Sequence, residues 1–200
     1  ICIYPQWLTL AKTHITNPAI SLATVVNFPS GNEPINSTAQ LIDTCLPLAD
    51  EIDCVMPYQS FLQGDTIRAT NFLNTCRRQM PNQCLKVILE TSAFPSADRI
   101  KEAALLAIDC GADFIKTSTG KHPAGGATPM AVDAMIAAIK QRNSNTGIKL
   151  SGGISDTDTA LRYVEQVTAT LGSSYANGDK LRIGASRLLN DILSQTMDAK

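Results

Sequence analysis

The chain has 200 residues, of which 44% are hydrophobic and 18% charged, a balance typical of one folded domain rather than of a disordered segment. Seventeen basic and 18 acidic residues give a net charge of −1, which lacks the basic excess that nucleic-acid binding requires. No apolar run reaches the roughly 18 residues of a membrane span, so neither nucleic acid nor a membrane is expected as a partner.

Strand-like and helix-like segments alternate along the whole chain. Short apolar runs predict seven strands, over residues 1–5, 22–27, 51–57, 85–90, 113–117, 147–151 and 181–184. Amphipathic segments predict helices near residues 6–16, 36–48, 59–80, 96–110, 128–143, 155–169 and 186–197. Ser96 and Thr128-Pro129 are typical helix starts, and Gly111 is well placed to end the helix that reaches Cys110.

The spacing of these elements predicts a parallel α/β fold. Strand starts lie 21 to 34 residues apart, the size of one βα unit, and the strands are apolar on both faces. Seven units fit either a doubly wound open sheet or an eight-stranded (β/α)8 barrel (TIM barrel) without its first unit. We favour the barrel, because the chain opens inside a strand at residues 1–5. We therefore expect residues 1–200 to be a single, N-terminally truncated barrel domain.

Cysteine and histidine usage indicates the compartment and argues against a metal. The six cysteines contain no C-x-x-C pair and mostly lie in apolar segments, which predicts buried, reduced thiols and a cytoplasmic location. The two histidines, His14 and His122, have no companions at metal-ligand spacing, so no metal site is predicted.

Polar residues near the carboxyl ends of the strands are the candidates for chemistry, because parallel α/β folds assemble their sites there. Lys116 and Lys149 lie in otherwise apolar strands, and Asp53 lies in a third. Two buried, neighbouring ammonium groups disfavour each other's charge, so one lysine can present a free amine that forms a Schiff base with a carbonyl. The alternative is that each lysine extends to solvent or pairs with a carboxylate.

Glycine-rich segments follow the last two strands. Gly152-Gly153 and Gly184-Ala185-Ser186 allow a close backbone approach, and barrels frequently bind phosphate at this place. The alternative is that these glycines only form tight βα turns. Neither segment is a G-x-G-x-x-G or Walker motif, so a nucleotide cofactor is not indicated.

Residues 114–121, FIKTSTGK, resemble the signature of the deoxyribose-phosphate aldolases, including its Schiff-base lysine. The resemblance continues in the correct order over nearly every strand: residues 1–5, 23–29, 50–53 with Val55, 85–91, 147–153 and 182–186. Three features depart from the family pattern. The first strand expected of the family, with its helix, would lie upstream of Ile1 and is absent from these residues. Arg187 stands where a second serine is common, and the loop over residues 121–127 is rich in glycine.

The resemblance implies a (β/α)8 class I aldolase that needs no metal or organic cofactor. Such enzymes cleave 2-deoxy-D-ribose 5-phosphate reversibly to acetaldehyde and D-glyceraldehyde 3-phosphate, a step of deoxyribonucleotide catabolism. By this resemblance Lys116 forms the Schiff base, Lys149 perturbs it, and Asp53 works with Lys149 as general acid and base. The residues implied in the pocket and around the substrate phosphate are Cys2, Thr119, Lys121, Gly152, Gly153 and Ser186.

Other interpretations remain open. Another Schiff-base barrel aldolase, such as a transaldolase-like enzyme, would keep Lys116 and change the substrate. A non-catalytic sugar-phosphate-binding barrel would bind without a covalent adduct. The expected partners are a small sugar phosphate and an aldehyde, and a homodimer is compatible with this kind of barrel.

Overall fold

One curled sheet of seven parallel strands organises residues 1–198, the part of the chain that the computed structural model describes. The strands are β1 (Cys2–Ile3), β2 (Ala23–Val26), β3 (Glu51–Val55), β4 (Cys84–Ile88), β5 (Phe114–Lys116), β6 (Gly147–Ser151) and β7 (Leu181–Gly184). Residues 199 and 200, which the predicted domain includes, lie outside the described residues.

Eight helices connect and follow the strands in the described part of the chain. They are α1 (Leu8–His14), α2 (Ile35–Cys45), α3 (Tyr58–Leu62), α4 (Thr66–Gln79), α5 (Ala97–Asp109), α6 (Pro129–Arg142), α7 (Thr157–Leu171) and α8 (Leu188–Asp198). None of those helices combines the length and the apolar character that crossing a membrane requires.

The strand order decides between the two predicted architectures. Each strand pairs with its neighbour in sequence, in the order β1 to β7. A doubly wound sheet reverses its order at a switch point, whereas consecutive parallel strands with right-handed crossovers keep all helices on one face and curl the sheet into a barrel wall. The prediction of a TIM-barrel-like α/β fold is confirmed, as a curled half-barrel of seven strands.

The two faces of the strands carry different residues. Cys54 of β3 lies 3.9 Å from Cys76 of α4, so Cys54 faces the helices. Because side chains alternate along a strand, the neighbouring Asp53 faces the concave side. Strand register aligns further charged residues with this side: Asp53 pairs with Lys86, and Lys116 pairs with Lys149, which pairs with Arg182.

Most local predictions agree with the structure. Ser96 and Thr128 cap their helices by accepting hydrogen bonds from the backbone N–H groups of Arg99 (3.3 Å) and Ala131 (3.2 Å). Gly111 has a φ of +83° after Cys110, the conformation that makes glycine favourable at a helix end. All six cysteines lie in the described residues and none is in a disulfide.

Two elements differ from prediction. The helix predicted over 59–80 is two helices, α3 and α4, because Gly64 turns the chain with a φ of +92° and Asp65 caps α4 through Arg68 N (3.0 Å). The strand predicted over 1–5 is limited to Cys2–Ile3, since Pro5 has no N–H for a strand ladder and begins a 3-10 turn.

Candidate active site

Asp53 joins the two lysines that the sequence singles out. It lies in the fully buried strand β3 and is itself 0% exposed. Its Oδ2 accepts hydrogen bonds from Lys116 Nζ and Lys149 Nζ, each at 2.7 Å. β3 and β6 are three strands apart, about 14 Å in a flat sheet. The curl of the sheet therefore brings Lys149 to Asp53.

A third lysine, which the sequence analysis did not include in the site, completes this cluster. Lys86 is 0% exposed, and its Nζ donates to Asp53 Oδ1 at 2.9 Å and contacts Glu51 Oε2 at 2.6 Å. Arg182 Nη1 then binds both Glu51 oxygens, at 2.7 and 2.6 Å. The sequence did contain a signal for this cluster. Glu51 and Asp53 lie two positions apart in apolar β3, and Lys86 lies in apolar β4.

The charges of this cluster set different proton affinities for its members. Burial opposes ionisation of Asp53, but the ammonium groups of Lys116, Lys149 and Lys86 outweigh it and hold the pKa of Asp53 well below its ordinary value. Burial lowers the pKa of Lys149; Asp53 opposes this shift, and the charge of Lys116 adds to it. Lys149 therefore releases its proton more readily than an exposed lysine does.

Lys86 behaves in the opposite way. Burial alone would lower its pKa, but Asp53 and Glu51 together raise the pKa of Lys86 above the ordinary lysine value. Lys86 consequently stays charged and neutralises the carboxylates.

Cys2 of β1 borders the same cluster. Its Sγ lies 3.9 Å from Asp53 Oδ2. Burial, followed by the negative charge of Asp53, raises the pKa of the Cys2 thiol. The thiol is protonated at neutral pH, so Cys2 lacks the reactivity of a thiolate.

The glycine-rich segments lie at the carboxyl ends of β6 and β7. Gly152 and Gly153 follow β6 with φ values of +84° and +78°. A Cβ on Gly152 would lie 2.7 Å from both Gly126 Cα and Ser118 Oγ, so close packing of the two loops requires glycine. Ser151 pairs with Gly184 of β7, and exposed Ser186 follows two residues later, so both segments leave the sheet at neighbouring points.

Thr119 and Lys121 lie on the loop after β5. The Thr119 hydroxyl accepts a hydrogen bond from the backbone N–H of Lys121 at 3.0 Å. The side chains of Lys121 and Ser186 are exposed, and neither forms a hydrogen bond or ion pair within residues 1–198. Lys116, Lys149, Asp53 and Cys2 thus form one cluster, while Lys121, Ser186 and the glycines lie on the loops that follow the strands.

A protein-family model described as DeoC/LacD family aldolase matches residues 1–193. The chain belongs to this family. The resemblance seen in the sequence is therefore confirmed.

Solved structures place this DeoC/LacD aldolase beside other aldolases. A candidate deoxyribose-phosphate aldolase from Coccidioides immitis is 26% identical, with a TM-score of 0.86 over 98% of this chain and 72% of that chain. One from Toxoplasma gondii ME49 has a TM-score of 0.89 at 24% identity, over 98% and 81% of the two chains. The tetrameric deoxyribose phosphate aldolase from Aeropyrum pernix has a TM-score of 0.71 at 21% identity, over 100% and 77%. The last two show the fold alone.

The chemistry available to this DeoC/LacD aldolase follows from its buried charges. Four cations and two carboxylates share the barrel interior, so positive charge exceeds negative charge there. Such an interior favours a neutral amine among its lysines. Among the described residues, no group of three or more His, Cys, Asp or Glu side chains has the arrangement of a metal site.

Proposed function

We propose that this aldolase cleaves 2-deoxy-D-ribose 5-phosphate reversibly to acetaldehyde and D-glyceraldehyde 3-phosphate through a Schiff base on Lys116. The observation that carries the proposal is the sharing of one Asp53 oxygen by Lys116 and Lys149, each at 2.7 Å. One anion cannot neutralise two buried ammonium groups. The pKa of Lys149 is lowered, chiefly by burial, so Lys149 is the proposed neutral amine of the pair.

The shared oxygen supports formation of the Schiff base. Neutral Lys149 takes the proton of Lys116 through Asp53, and the freed amine attacks the aldehyde carbon C1 of the open-chain substrate. The carbinolamine then loses its hydroxyl as water, with Lys149 returning the proton. The result is a protonated imine between Lys116 and C1.

The imine supplies the electron sink for cleavage. The C3 hydroxyl loses its proton to a base, the C2–C3 electron pair moves into the imine, and glyceraldehyde 3-phosphate leaves with a new aldehyde at C3. The remaining enamine gains a proton at C2. Hydrolysis consumes the water that imine formation released, frees acetaldehyde and restores the amine of Lys116.

The loops that follow β5, β6 and β7 support the proposal of a phosphorylated substrate. Gly152 and Gly153 follow β6 with positive φ values, and the Lys121 ammonium group has no ion-pair partner within residues 1–198. With Ser186 they are proposed to bind the substrate phosphate, which anchors the sugar and orients C2–C3 over Lys116. The unpaired cysteines support a cytoplasmic location for this activity.

Reduction of the Schiff base tests the proposal directly. The protein is incubated with acetaldehyde, reduced with borohydride and mapped by peptide mass spectrometry. We expect one ethyl group on Lys116, no labelling of Lys116→Met, and full labelling of Lys116 in Lys140→Met, which changes an exposed lysine on α6. A folded, unlabelled wild-type protein would contradict the proposal and favour a non-catalytic binder.

A substrate panel then tests the specificity. Release of glyceraldehyde 3-phosphate from 2-deoxy-D-ribose 5-phosphate is measured beside the cleavage of sugar acids and of transaldolase substrates. Preferred cleavage of the deoxy sugar supports the proposed substrate. Labelling of Lys116 with preference for another donor would assign a different Schiff-base aldolase.

A further inference from the structure

Glu90, two residues after β4, combines two unfavourable features. It is 0% exposed, and it adopts the left-handed conformation, with φ +60° and ψ +56°, that residues other than glycine rarely adopt. In addition, its Oε1 is buried and has no hydrogen-bond partner among the described residues. Stability alone would favour glycine or an apolar side chain here, so these features indicate a functional constraint.

The other carboxylate oxygen of Glu90 holds the loop that follows the Schiff-base strand. Oε2 accepts hydrogen bonds from the backbone N–H of Thr119, at 3.2 Å, and from the Thr119 hydroxyl. The same hydroxyl accepts the backbone N–H of Lys121 at 3.0 Å. A continuous chain of hydrogen bonds therefore runs from Lys121 through Thr119 to Glu90.

The direction of this chain is fixed by chemistry. A backbone N–H can only donate, so the Thr119 hydroxyl must accept from Lys121, and its single hydrogen points to Glu90. Glu90 Oε2 accepts this hydrogen as well as the backbone N–H of Thr119. Toward a substrate the Thr119 hydroxyl is consequently an acceptor, since its hydrogen is already committed.

The backbone on both sides of Glu90 is held against the end of β5. Leu89 N donates to Lys116 O at 2.9 Å, and Thr91 N donates to Thr117 O at 2.8 Å. These bonds place the Glu90 carboxylate under the loop that leaves Lys116. The carboxylate can therefore fix the path of that loop relative to the Schiff-base lysine.

We propose that Glu90 is the positioning residue of the anion-binding part of the site. Its carboxylate fixes the Thr119 hydroxyl and the Lys121 backbone, so that the Lys121 ammonium group is presented to the substrate phosphate. This inference rests on the proposed function for its phosphorylated substrate. Glu90 touches no reacting atom, so its loss weakens binding of the phosphate and spares imine formation at Lys116.

A comparison of 2-deoxy-D-ribose 5-phosphate with uncharged acetaldehyde distinguishes a role of Glu90 in phosphate binding from a general loss of structure. In Glu90→Gln and Glu90→Ala we expect KM for 2-deoxy-D-ribose 5-phosphate to rise about tenfold, with kcat within about threefold of wild type. The rate of acetaldehyde trapping at Lys116 stays at the wild-type value, because acetaldehyde carries no phosphate. Glu165→Gln, which removes an exposed carboxylate on α7, is the matched control and keeps the wild-type KM.

Thr119 provides a second and milder test. Thr119→Val removes the hydroxyl at nearly constant shape, so it raises KM as Glu90→Gln does, and the double variant is no worse than either single one. This variant keeps Glu90, so it decides the question even if Glu90→Ala does not fold. An unchanged KM in folded Glu90→Ala or in Thr119→Val would overturn the proposal. Equal losses of trapping and of sugar-phosphate cleavage would also overturn it.

Calorimetry with inorganic phosphate keeps this inference distinguishable from the proposed function. If the wild-type protein does not trap acetaldehyde, the Schiff-base proposal fails, but phosphate binding at the loop is still measurable. We expect phosphate affinity to fall about tenfold in Glu90→Gln and to be unchanged in Glu165→Gln. Equal affinity in Glu90→Gln and wild type would refute the role of Glu90 whatever the outcome of trapping.

Discussion

Lys116 and Lys149 are register partners on β5 and β6, and both donate to the same carboxylate oxygen. Two ammonium groups at one oxygen repel each other, and burial removes the water that would screen them. A proton moved from one lysine to the other has only to cross Asp53. The charge of Lys116 adds to the lowering of the Lys149 pKa, and several variants test the function of this contact.

Lys149→Met should move the pH dependence of the reaction. In the wild type the pKa of Lys149 is lowered, chiefly by burial, so a larger share of Lys149 is neutral at a given pH than of an exposed lysine. Lys149 is the proposed internal base. The rate falls on the acid side as Lys149 becomes protonated. Without Lys149, no neutral amine adjoins Asp53 to receive the proton of Lys116. The acid limb of kcat/KM therefore shifts to higher pH, and kcat falls about 100-fold or more.

Stopped-time assays of sugar-phosphate cleavage from pH 5 to pH 10 measure this shift. Lys140→Met, on the exposed side of α6, should retain the wild-type profile. An acid limb at the same pH in Lys149→Met and wild type would show that the two lysines titrate independently.

Asp53→Asn should destabilise the protein strongly. It leaves three buried lysines without their shared anion, a loss of about 3–5 kcal/mol in the free energy of unfolding at pH 7. The folded-state pKa of Asp53 is depressed, so its contribution is present above the ordinary value of about 3.9 and is lost as the pH falls toward the folded-state pKa. Urea unfolding should show the gap to wild type narrowing below about pH 4.

The control for this experiment is Asp179→Asn, which changes an exposed aspartate before β7. Asp179→Asn should give the wild-type urea unfolding curve at pH 7 and also below about pH 4. A gap between Asp53→Asn and wild type that does not depend on pH would contradict the electrostatic origin of the effect.

The ion pair of Lys86 with Glu51 should be strongly coupled. Lys86→Met removes the buried cation that bridges the two carboxylates, although Asp53 keeps Lys116 and Lys149 and Glu51 keeps Arg182. Glu51→Gln removes the anion that Lys86 and Arg182 share. Each change should cost about 3–5 kcal/mol. The double variant should cost clearly less than their sum, as a double-mutant cycle by urea unfolding will measure. Simple additivity would show that the 2.6 Å contact carries little energy.

Lys121→Met should weaken binding of the phosphorylated substrate. The exposed ammonium group has no partner within residues 1–198, so its loss removes only its interaction with an anion. We expect KM for 2-deoxy-D-ribose 5-phosphate to rise about 10- to 100-fold at low salt, with a smaller difference at high ionic strength. Lys140→Met should not change KM. A KM for Lys121→Met that equals the wild-type value would remove Lys121 from the phosphate site.

Local sequence patterns determined most of the secondary structure. Apolar runs between amphipathic segments predicted all seven strands, and the chemistry of Ser96, Thr128 and Gly111 predicted helix ends that the structure contains. The same patterns joined α3 and α4 into one helix, because helical periodicity continues across Gly64 and only the positive φ of that glycine breaks the chain direction.

The sequence by itself determined the order of βα units, the family, and the presence of lysines in apolar strands. Only the tertiary structure decided the pairing of the buried lysines with the buried carboxylates. Asp53 reaches Lys149 across the curl of the sheet, Lys86 enters the cluster through its register with Asp53, and Glu90 finds Thr119 across a loop. A sequence pattern reports periodicity and propensity along the chain, whereas these contacts depend on the register and curvature of strands that are distant in sequence.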